Sequence, residues 1–360
     1  MTEITKRISH LLPGPVVLDE RVREQFSRPP VSHRSDEFLA DLQVLKSLLC
    51  RFVNSRFVEV LSGSGTLANE AVAAQISQLR SKGLILSNGE FGERLISQAN
   101  RINLDFVTLS VDWGLAYSYQ EITSLLDIHP EINWIWTVHC ETSTGVLNDI
   151  HQLSAIALNR NIKLCLDCIS SIGTLPVDLS NVYLASCSSG KALCSYPGLA
   201  IVFYNHEIQE SAHIPKYLDL GFYRNESGVP FTLSSNLIYA LQRAMESLSY
   251  AADFFSSIKL NSLTIKEVML NAGLNVINEH GCTSPALVTI EMPDDISSVA
   301  FGDQLEKEGC LVSYKSNYLI RRNWVQTFVT RNTTKEEVAQ FVHVMDLLLD
   351  HFESHLVAGL

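Results

Sequence analysis

Short apolar runs of strand-forming residues alternate with helical stretches as far as Tyr204 in this chain of 360 residues. Strands that alternate with helices predict an α/β fold with a mostly parallel sheet. We expect seven strands, at Arg56–Leu61, Leu84–Leu86, Asp105–Val111, Trp134–Val138, Lys163–Ile169, Val182–Cys187 and Leu199–Tyr204. In such a sheet, ligands bind among the loops outside the strand ends.

The remainder of the chain predicts a smaller α+β domain. A long helical pattern at Leu233–Phe255 precedes it, and a capping box at Thr334–Glu337 opens a C-terminal helix. The other expected elements are helices at Thr264–Ala272 and Val299–Glu308, and strands at Ala286–Met292, Cys310–Ile320 and Trp324–Thr330. We therefore predict a large domain over residues 1–256 and a small domain over 257–360, with the segment 1–20 packed near the small domain.

Lys191 and Asp167 form the most informative pair of residues. Lys191 lies on a predicted loop between two strands, where its amine can reach a carbonyl compound and form a Schiff base. Asp167 lies 24 residues earlier, at the end of an apolar strand, where its carboxylate needs a cationic partner. The protonated nitrogen of a pyridine ring is such a partner. Each residue alone also has a structural interpretation, as a solvated surface lysine or as an aspartate that caps a turn or helix. The pair together favours a site for an aldehyde cofactor with a pyridine ring.

Three further segments follow predicted strands. The sequence SGSGT at 62–66 leads into a helical pattern, where free N–H groups and the helix dipole can bind phosphate. It lacks the spacing of a dinucleotide fingerprint or a P-loop. Phe91 can stack on a flat ring, and Thr142 lies in a hydroxyl-rich segment. Each segment also has a structural interpretation, as a glycine turn, a packed aromatic ring or a shaped turn.

The ordered set of motifs resembles the class-V pyridoxal-phosphate aminotransferases. The similar group contains the alanine–glyoxylate, serine–pyruvate and 2-aminoethylphosphonate–pyruvate aminotransferases. The motifs are LPGP at 12–15, SGSGT at 62–66, NGEFG at 88–92, HCETSTG at 139–145, DCISS at 167–171, SGKA at 189–192 and PGL at 197–199. The resemblance extends from Leu11 to Tyr239, and it implies a fold-type I transferase with a seven-stranded sheet and a smaller C-terminal domain.

The resemblance also implies a role for each matching residue. Lys191 would bind pyridoxal 5'-phosphate as a Schiff base and move a proton between substrate and cofactor. The other implied cofactor contacts are Asp167 with the ring nitrogen, Phe91 with the ring face, Thr142 near the ring hydroxyl, and Gly65, Thr66 and Thr232 with the phosphate. Thr232 matches a residue that reaches the phosphate of a second subunit, so the resemblance implies a homodimer.

Substrate binding is where this sequence departs from the relatives. They carry an arginine in the C-terminal domain that suits a substrate carboxylate, because a guanidinium group binds both oxygens at once. The matching position here is Val325. We expect Arg321 or Arg322 to take over this contact, with Arg322 nearer, and Gly14 of the LPGP motif to lie beside the substrate. The alternative is that both arginines are ordinary surface residues and the acid group is held elsewhere.

Three functions are compatible with these residues. The first is transfer of an amino group from a small donor such as alanine or serine to pyruvate or glyoxylate, with 2-aminoethylphosphonate as an alternative donor. The second is a lyase on the same fold, such as a desulfurase or β-elimination enzyme. Desulfurase relatives carry a histidine before the lysine and a loop cysteine, whereas Gly190 precedes Lys191 here, and Cys282 and Cys310 lack a recognisable catalytic loop. The third is a binding protein, which the intact Lys191–Asp167 pair disfavours.

The composition excludes other classes of protein. A net charge of −12 disfavours binding to nucleic acid and to anionic membranes. The N-terminus has no apolar signal core and the chain has no long apolar run, so we expect a cytoplasmic protein. Cys165 and Cys168 would point to opposite faces of a strand, so we expect no metal site there or elsewhere.

Overall fold

The structure is a computed structural model that describes residues 8–250, 253–278 and 281–357. Its strands are β1 (Ser9–His10), β2 (Phe57–Ser62), β3 (Lys82–Ser87), β4 (Phe106–Ser110), β5 (Ile132–Val138), β6 (Cys140–Glu141), β7 (Val146–Leu147), β8 (Lys163–Asp167), β9 (Leu184–Ser188), β10 (Leu199–Tyr204), β11 (Asn275–Val276), β12 (Leu287–Glu291), β13 (Cys310–Leu311) and β14 (Trp324–Phe328). Its α-helices are α1 (Glu20–Glu24), α2 (Asp36–Val53), α3 (Gly65–Ser77), α4 (Glu90–Arg101), α5 (Tyr119–Ile128), α6 (Ile150–Asn159), α7 (Leu220–Asn225), α8 (Ser235–Tyr250), α9 (Phe254–Asn271), α10 (Ser298–Lys307), α11 (Asn317–Arg322) and α12 (Lys335–Val357).

A seven-stranded sheet organises the first part of the chain. Its strand order is β2-β10-β9-β8-β5-β3-β4. The neighbours from β9 to β4 pair in parallel, and β10 is antiparallel to both β2 and β9. All seven predicted strand runs belong to this sheet, so the predicted α/β fold with a mostly parallel sheet is confirmed.

Both faces of this sheet are buried, which explains why its strands read as nearly continuous apolar runs. Along β10, Leu199, Ile201 and Phe203 belong to one hydrophobic cluster. The alternate residues, including Val202 and Tyr204, belong to the cluster on the opposite face. Burial of one large apolar side chain stabilises the fold by about 1.5–3 kcal/mol, so the two layers hold the loops at the sheet edge firmly.

The C-terminal part has its own sheet and core. Strands β11, β12 and β14 form an antiparallel sheet. Ile265 and Met269 of α9 pack with Val325, Phe328 and Phe341 in a separate hydrophobic cluster. The predicted capping box is present, because the Thr334 N–H donates to Glu337 Oε2 at 2.7 Å and the Glu337 N–H donates to Thr334 Oγ1 at 3.2 Å.

One predicted strand in this part is wrong. Only Cys310–Leu311 of the expected run Cys310–Ile320 is a strand, and Asn317–Arg322 is the short helix α11. Asn323 ends that helix in the left-handed conformation, with φ of 57°. Its side-chain amide donates to the carbonyls of Met292, Pro293 and Ile296, at 3.2, 3.1 and 2.9 Å. These contacts with a distant segment fix the end of α11, which the local alternation of apolar and polar residues does not predict.

The predicted boundary after residue 256 falls inside α9, which runs from Phe254 to Asn271. Ser9 and His10 pair in parallel with Cys310 and Leu311, and Leu11 lies in the C-terminal cluster. Residues 1–7 of the segment 1–20 lie outside the described residues, and the division into two domains stays a prediction. In the part of the chain that the structure describes, no helix is long and apolar enough to cross a membrane.

Candidate active site

The loops at the carboxyl ends of the sheet strands surround one cavity of about 670 Å³. This is where parallel α/β sheets bind ligands, and the volume lies within the range of small-molecule sites. The predicted site residues that line the cavity are Gly14, Gly65, Thr66, Phe91, Thr142, Asp167 and Lys191. Residues from separate parts of the sequence are thus brought to a single place.

Lys191 presents its amine inside this cavity. Its Nζ donates a hydrogen bond to Ser170 Oγ at 3.0 Å, and Ser170 Oγ lies 2.5 Å from Thr142 Oγ1. Loss of water around the amine lowers the pKa of Lys191, while the nearby Asp167 carboxylate acts in the opposite direction. A lowered pKa leaves more of the amine neutral and therefore nucleophilic.

Asp167 lies at the end of β8 and is only 3% exposed. Its Oδ2 accepts from Asn69 Nδ2 at 2.7 Å, and its Oδ1 accepts from the Ile169 N–H at 2.9 Å. Ser186 Oγ in turn donates to Asn69 Oδ1 at 2.5 Å, which holds the amide in this orientation. Burial raises the pKa of the Asp167 carboxyl despite these bonds. A cationic ring nitrogen in the cavity would favour the ionised carboxylate, so the residue fits a pyridine cofactor.

The start of α3 fits a phosphate group. Ser64 occupies the N-cap position, but its side chain makes no capping hydrogen bond. Among the described residues, no acceptor binds the N–H groups of Gly65 and Thr66. A Cβ on Gly65 would lie 2.6 Å from Cδ1 of Ile169, so this turn has little room for a side chain. Free N–H groups at the positive end of a helix dipole form an anion site.

Glu141 holds Phe91 in place at the cavity wall. The buried carboxylate accepts hydrogen bonds from the N–H groups of Phe91 and Gly92, at 3.3 and 3.0 Å, in the first turn of α4. It also accepts from the N–H and hydroxyl of Ser143, at 3.0 and 2.6 Å. Burial raises the pKa of Glu141, and these four hydrogen bonds oppose that shift. Glu141 therefore caps the helix that carries the aromatic ring.

The residue before the lysine is glycine because the loop is tightly packed. A Cβ on Gly190 would lie 2.7 Å from Cβ and 2.8 Å from Cα of Pro197. Gly14 approaches the same loop, since a Cβ there would lie 3.2 Å from the carbonyl oxygen of Gly190. A side chain at position 190 therefore has no room in this loop.

Three predicted site residues do not line the cavity. Thr232 is exposed and lies in the segment before α8. Arg321 and Arg322 end the short helix α11 and lie outside the cavity lining. The guanidinium carbon of Arg322 lies 3.8 Å from the ring centroid of Trp113 and 5.0 Å from that of Trp324.

Several functional candidates escaped the sequence interpretation. Asn69, Ser170 and Arg94 line the cavity, and Glu141 supports its wall. Asn69 follows Thr66 by three residues, and Arg94 follows Phe91 by three. Residues at this spacing share one face of a helix, so the pattern indicates that Asn69 and Arg94 face the same cavity as the predicted site residues. Within the described ranges, no group of three or more His, Cys, Asp or Glu side chains could hold a metal ion.

The family model for aminotransferase class V matches residues 21–227, more than half of the chain. The chain belongs to the class-V aminotransferase family. Membership identifies the protein as an enzyme of the transferase class and implies dependence on pyridoxal phosphate. The resemblance stated from the motifs is confirmed.

Individual relatives are similar over most of their length. The 42 kDa subunit of a soluble hydrogenase from Anabaena cylindrica is 28% identical over 303 residues, which cover 79% of this chain and 78% of the relative. A 2-aminoethylphosphonate–pyruvate transaminase from Lysinibacillus sphaericus is 25% identical over 319 residues, with coverage of 84% and 87%. The crystal structure of an alanine–glyoxylate aminotransferase from Nostoc is 26% identical, covers 97% of both chains and has a TM-score of 0.85.

Proposed function

We propose that this aminotransferase moves an amino group from a small donor, such as alanine or serine, to a small 2-oxo acid, such as pyruvate or glyoxylate. The observation that carries the proposal is the position of Lys191 in a cavity that also contains the Asp167 carboxylate and the free start of α3. These groups match an aldehyde, a pyridine nitrogen and a phosphate. Similarity to enzymes named for pyruvate and glyoxylate supports the choice of acceptor.

Pyridoxal phosphate, when bound, supplies an aldehyde that takes up amino groups and a ring that withdraws electrons from them. Asp167 would hold the proton of the ring nitrogen, Phe91 would pack against the ring, and the N–H groups of Gly65 and Thr66 would bind the phosphate. Thr142 and Ser170 would contact the polar edge of the ring. No side chain has to move far, since these residues already line one cavity.

Lys191 would act as the proton carrier of the site. Its amine has a lowered pKa and a single hydroxyl partner, Ser170, so it can accept a proton from a donor carbon and return it to a neighbouring position. Ser170 holds Nζ in one orientation, and Thr142 holds Ser170. The hydroxyl pair therefore orients the base without adding a charge beside it.

A donor without an α-carboxylate, such as 2-aminoethylphosphonate, is the second candidate. Val325 occupies the position of the relatives' arginine and is fully buried in the C-terminal core. That position therefore offers no charged contact to a carboxylate. The relative from Lysinibacillus sphaericus is named for this phosphonate donor.

Lyase chemistry through a cysteine finds little support. Cys310 is buried in the C-terminal core, and Cys282 does not line the cavity. Cys140 does line it, but burial raises the pKa of this thiol to about 11. A protonated thiol is a poor nucleophile at neutral pH.

We also propose a homodimer, because the exposed Thr232 matches a residue that reaches a partner's phosphate. Protein diluted to the monomer should then lose affinity for the cofactor. Full cofactor binding by a monomer, measured by light scattering and absorbance together, would overturn this part of the proposal.

A half-reaction screen tests the function. Purified protein loaded with pyridoxal phosphate is mixed with alanine, serine, glutamate, aspartate or 2-aminoethylphosphonate in the absence of an acceptor. A transaminase converts the bound cofactor to its amine form once per site and releases one equivalent of oxo product. Continued release of ammonia together with an oxo acid such as pyruvate, without an acceptor, would contradict transamination.

A further inference from the structure

Helix α4 turns one face toward the cavity, and that face carries Arg94, to which none of the cofactor contacts above assigns a role. Phe91, Arg94, Gln98 and Arg101 recur at three- and four-residue intervals, and all of them line the cavity. Gln98 fixes this face against α3, because its Nε2 donates to the Thr66 carbonyl at 3.3 Å and to Glu70 Oε1 at 3.1 Å. The arginines thus stand on a supported helix.

The guanidinium group of Arg94 is oriented but only partly used. Its Nε pairs with Glu90 Oε1 at 3.0 Å, and its central carbon lies 4.7 Å from the Phe91 ring centroid. Among the described residues, no acceptor binds its two terminal nitrogens, and the side chain is 51% exposed at the cavity mouth. A guanidinium group held by Nε and an aromatic ring presents a free pair of nitrogens, which is the geometry that binds a carboxylate or phosphonate.

Arg94 lies within reach of the reacting amine. Lys191 Nζ lies 5.4 Å from the same Phe91 centroid, so Nζ and the Arg94 guanidinium carbon are no more than about 10 Å apart. A paired acid group takes up about 4 Å of that distance at ordinary hydrogen-bond lengths. The remaining span, about 6 Å at most, admits donors whose acid group lies a few bonds from the amine.

The other candidate arginines are committed elsewhere or lie farther away. Arg322 stacks on two tryptophans, and Arg331 donates from Nη2 to the Ala244 carbonyl at 3.1 Å without lining the cavity. Arg101 lies seven residues beyond Arg94, about 10 Å farther along the helix axis. Asp167 and Glu70 place negative charge around the cavity, so an acidic substrate needs a cation there.

We infer that Arg94 binds the acid group of the amino donor and so determines specificity for small anionic amines, carboxylate or phosphonate. This inference rests on the proposed function and deepens it. Arg94 replaces, from the large sheet region, the contact that relatives make from their C-terminal domain. An amine of the same length without an acid group does not gain this contact, so Arg94 favours the acidic donors over it.

The test compares Arg94→Gln and Arg94→Lys with a matched control, Arg160→Gln, whose arginine pairs with Asp127 on the surface at 2.7 Å and does not line the cavity. Half-reaction rates are followed against concentration for L-alanine, 2-aminoethylphosphonate and n-propylamine, which has no acid group. Arg94→Gln should raise the half-saturating concentration of the two acidic donors by about 10- to 100-fold, the loss expected for a charged hydrogen-bonded pair. Rates with n-propylamine and the cofactor absorbance should not change. Arg94→Lys should give a half-saturating concentration between those of wild type and Arg94→Gln, since lysine keeps the charge but loses the paired geometry.

Calorimetric binding of methylphosphonate and acetate to the cofactor-loaded protein separates this inference from the proposed function. If no donor is converted but both anions bind to wild type and not to Arg94→Gln, the function fails and the anion site stands. If donors are converted and Arg94→Gln shows wild-type half-saturation and anion binding, the function stands and the inference is overturned. Anion binding and half-saturation that change in Arg101→Gln and not in Arg94→Gln would overturn the inference as well.

Discussion

Replacing Glu141 with alanine removes the acceptor that holds the start of α4. The carboxylate receives four hydrogen bonds, from the N–H groups of Phe91, Gly92 and Ser143 and from the Ser143 hydroxyl. A buried donor left without an acceptor costs about 1–3 kcal/mol, and loss of a helix cap costs about 0.5–2 kcal/mol. Removal of a buried acid, whose pKa is raised by burial, offsets part of that loss. We expect Glu141→Ala to lower the free energy of unfolding by about 2–5 kcal/mol.

Urea unfolding of the cofactor-free protein measures this change, and titration with pyridoxal phosphate measures the effect on Phe91. Glu141→Gln keeps one acceptor oxygen and should lose less stability, about 1–2 kcal/mol. Glu121, an exposed acid in the first turn of α5, provides the control, and Glu121→Ala should stay within about 0.5 kcal/mol of wild type. If Glu141→Ala unfolds like wild type and binds the cofactor equally well, the hydrogen bonds do not hold the helix as described.

Other changes have defined outcomes. Burial lowers the pKa of His139 to about 4, so between pH 6.5 and pH 4 the unfolded chain binds a proton that the folded chain does not. The free energy of unfolding should therefore fall by up to about 3 kcal/mol as the pH drops through that window. His139→Gln should show a smaller pH dependence in urea unfolding over the same range. Arg322→Ala should lose the contact with Trp113, which at this exposed position stabilises the fold by about 0.5–1 kcal/mol. The half-saturating concentration of the donors should not change; a raised value with an intact cofactor spectrum would instead make Arg322 the substrate contact. Gly190→Ala would place a Cβ against Pro197, which should lower the free energy of unfolding by about 1–3 kcal/mol in thermal unfolding and weaken cofactor binding. Wild-type cofactor binding would mean that the loop adjusts to the Cβ.

The sheet could be predicted from sequence because its physical signal is local. Strands buried on both faces, such as Leu199–Tyr204, read as unbroken apolar runs. Asp167 ends one such strand, and Lys191 lies on the loop that follows another. Helix α11 could not be predicted in this way, because Asn323 holds its end through carbonyls about 30 residues away in sequence. The sequence pattern also begins the next helix at Thr264, whereas α9 begins at Phe254.

The supporting residues of the site were missed for a related reason. Asn69 acts on Asp167 across 98 positions, and Glu141 acts on Gly92 across 49. An asparagine or a glutamate alone does not indicate a site role in the sequence, because the role depends on a partner that the fold brings near. Closeness in sequence to Val325 favours Arg322, whereas the arginines that line the cavity, Arg94 and Arg101, come from another part of the chain.

The central claim is that pyridoxal phosphate binds in the cavity that Lys191 lines. The most direct measurement is borohydride reduction of the cofactor-loaded protein, followed by peptide mapping by mass spectrometry. We expect a pyridoxyl group on the peptide that contains Lys191, in about one copy per chain, and no labelling of Lys191→Ala at that peptide. A protein that binds no pyridoxal phosphate, or a label that falls on a different lysine, would contradict the account.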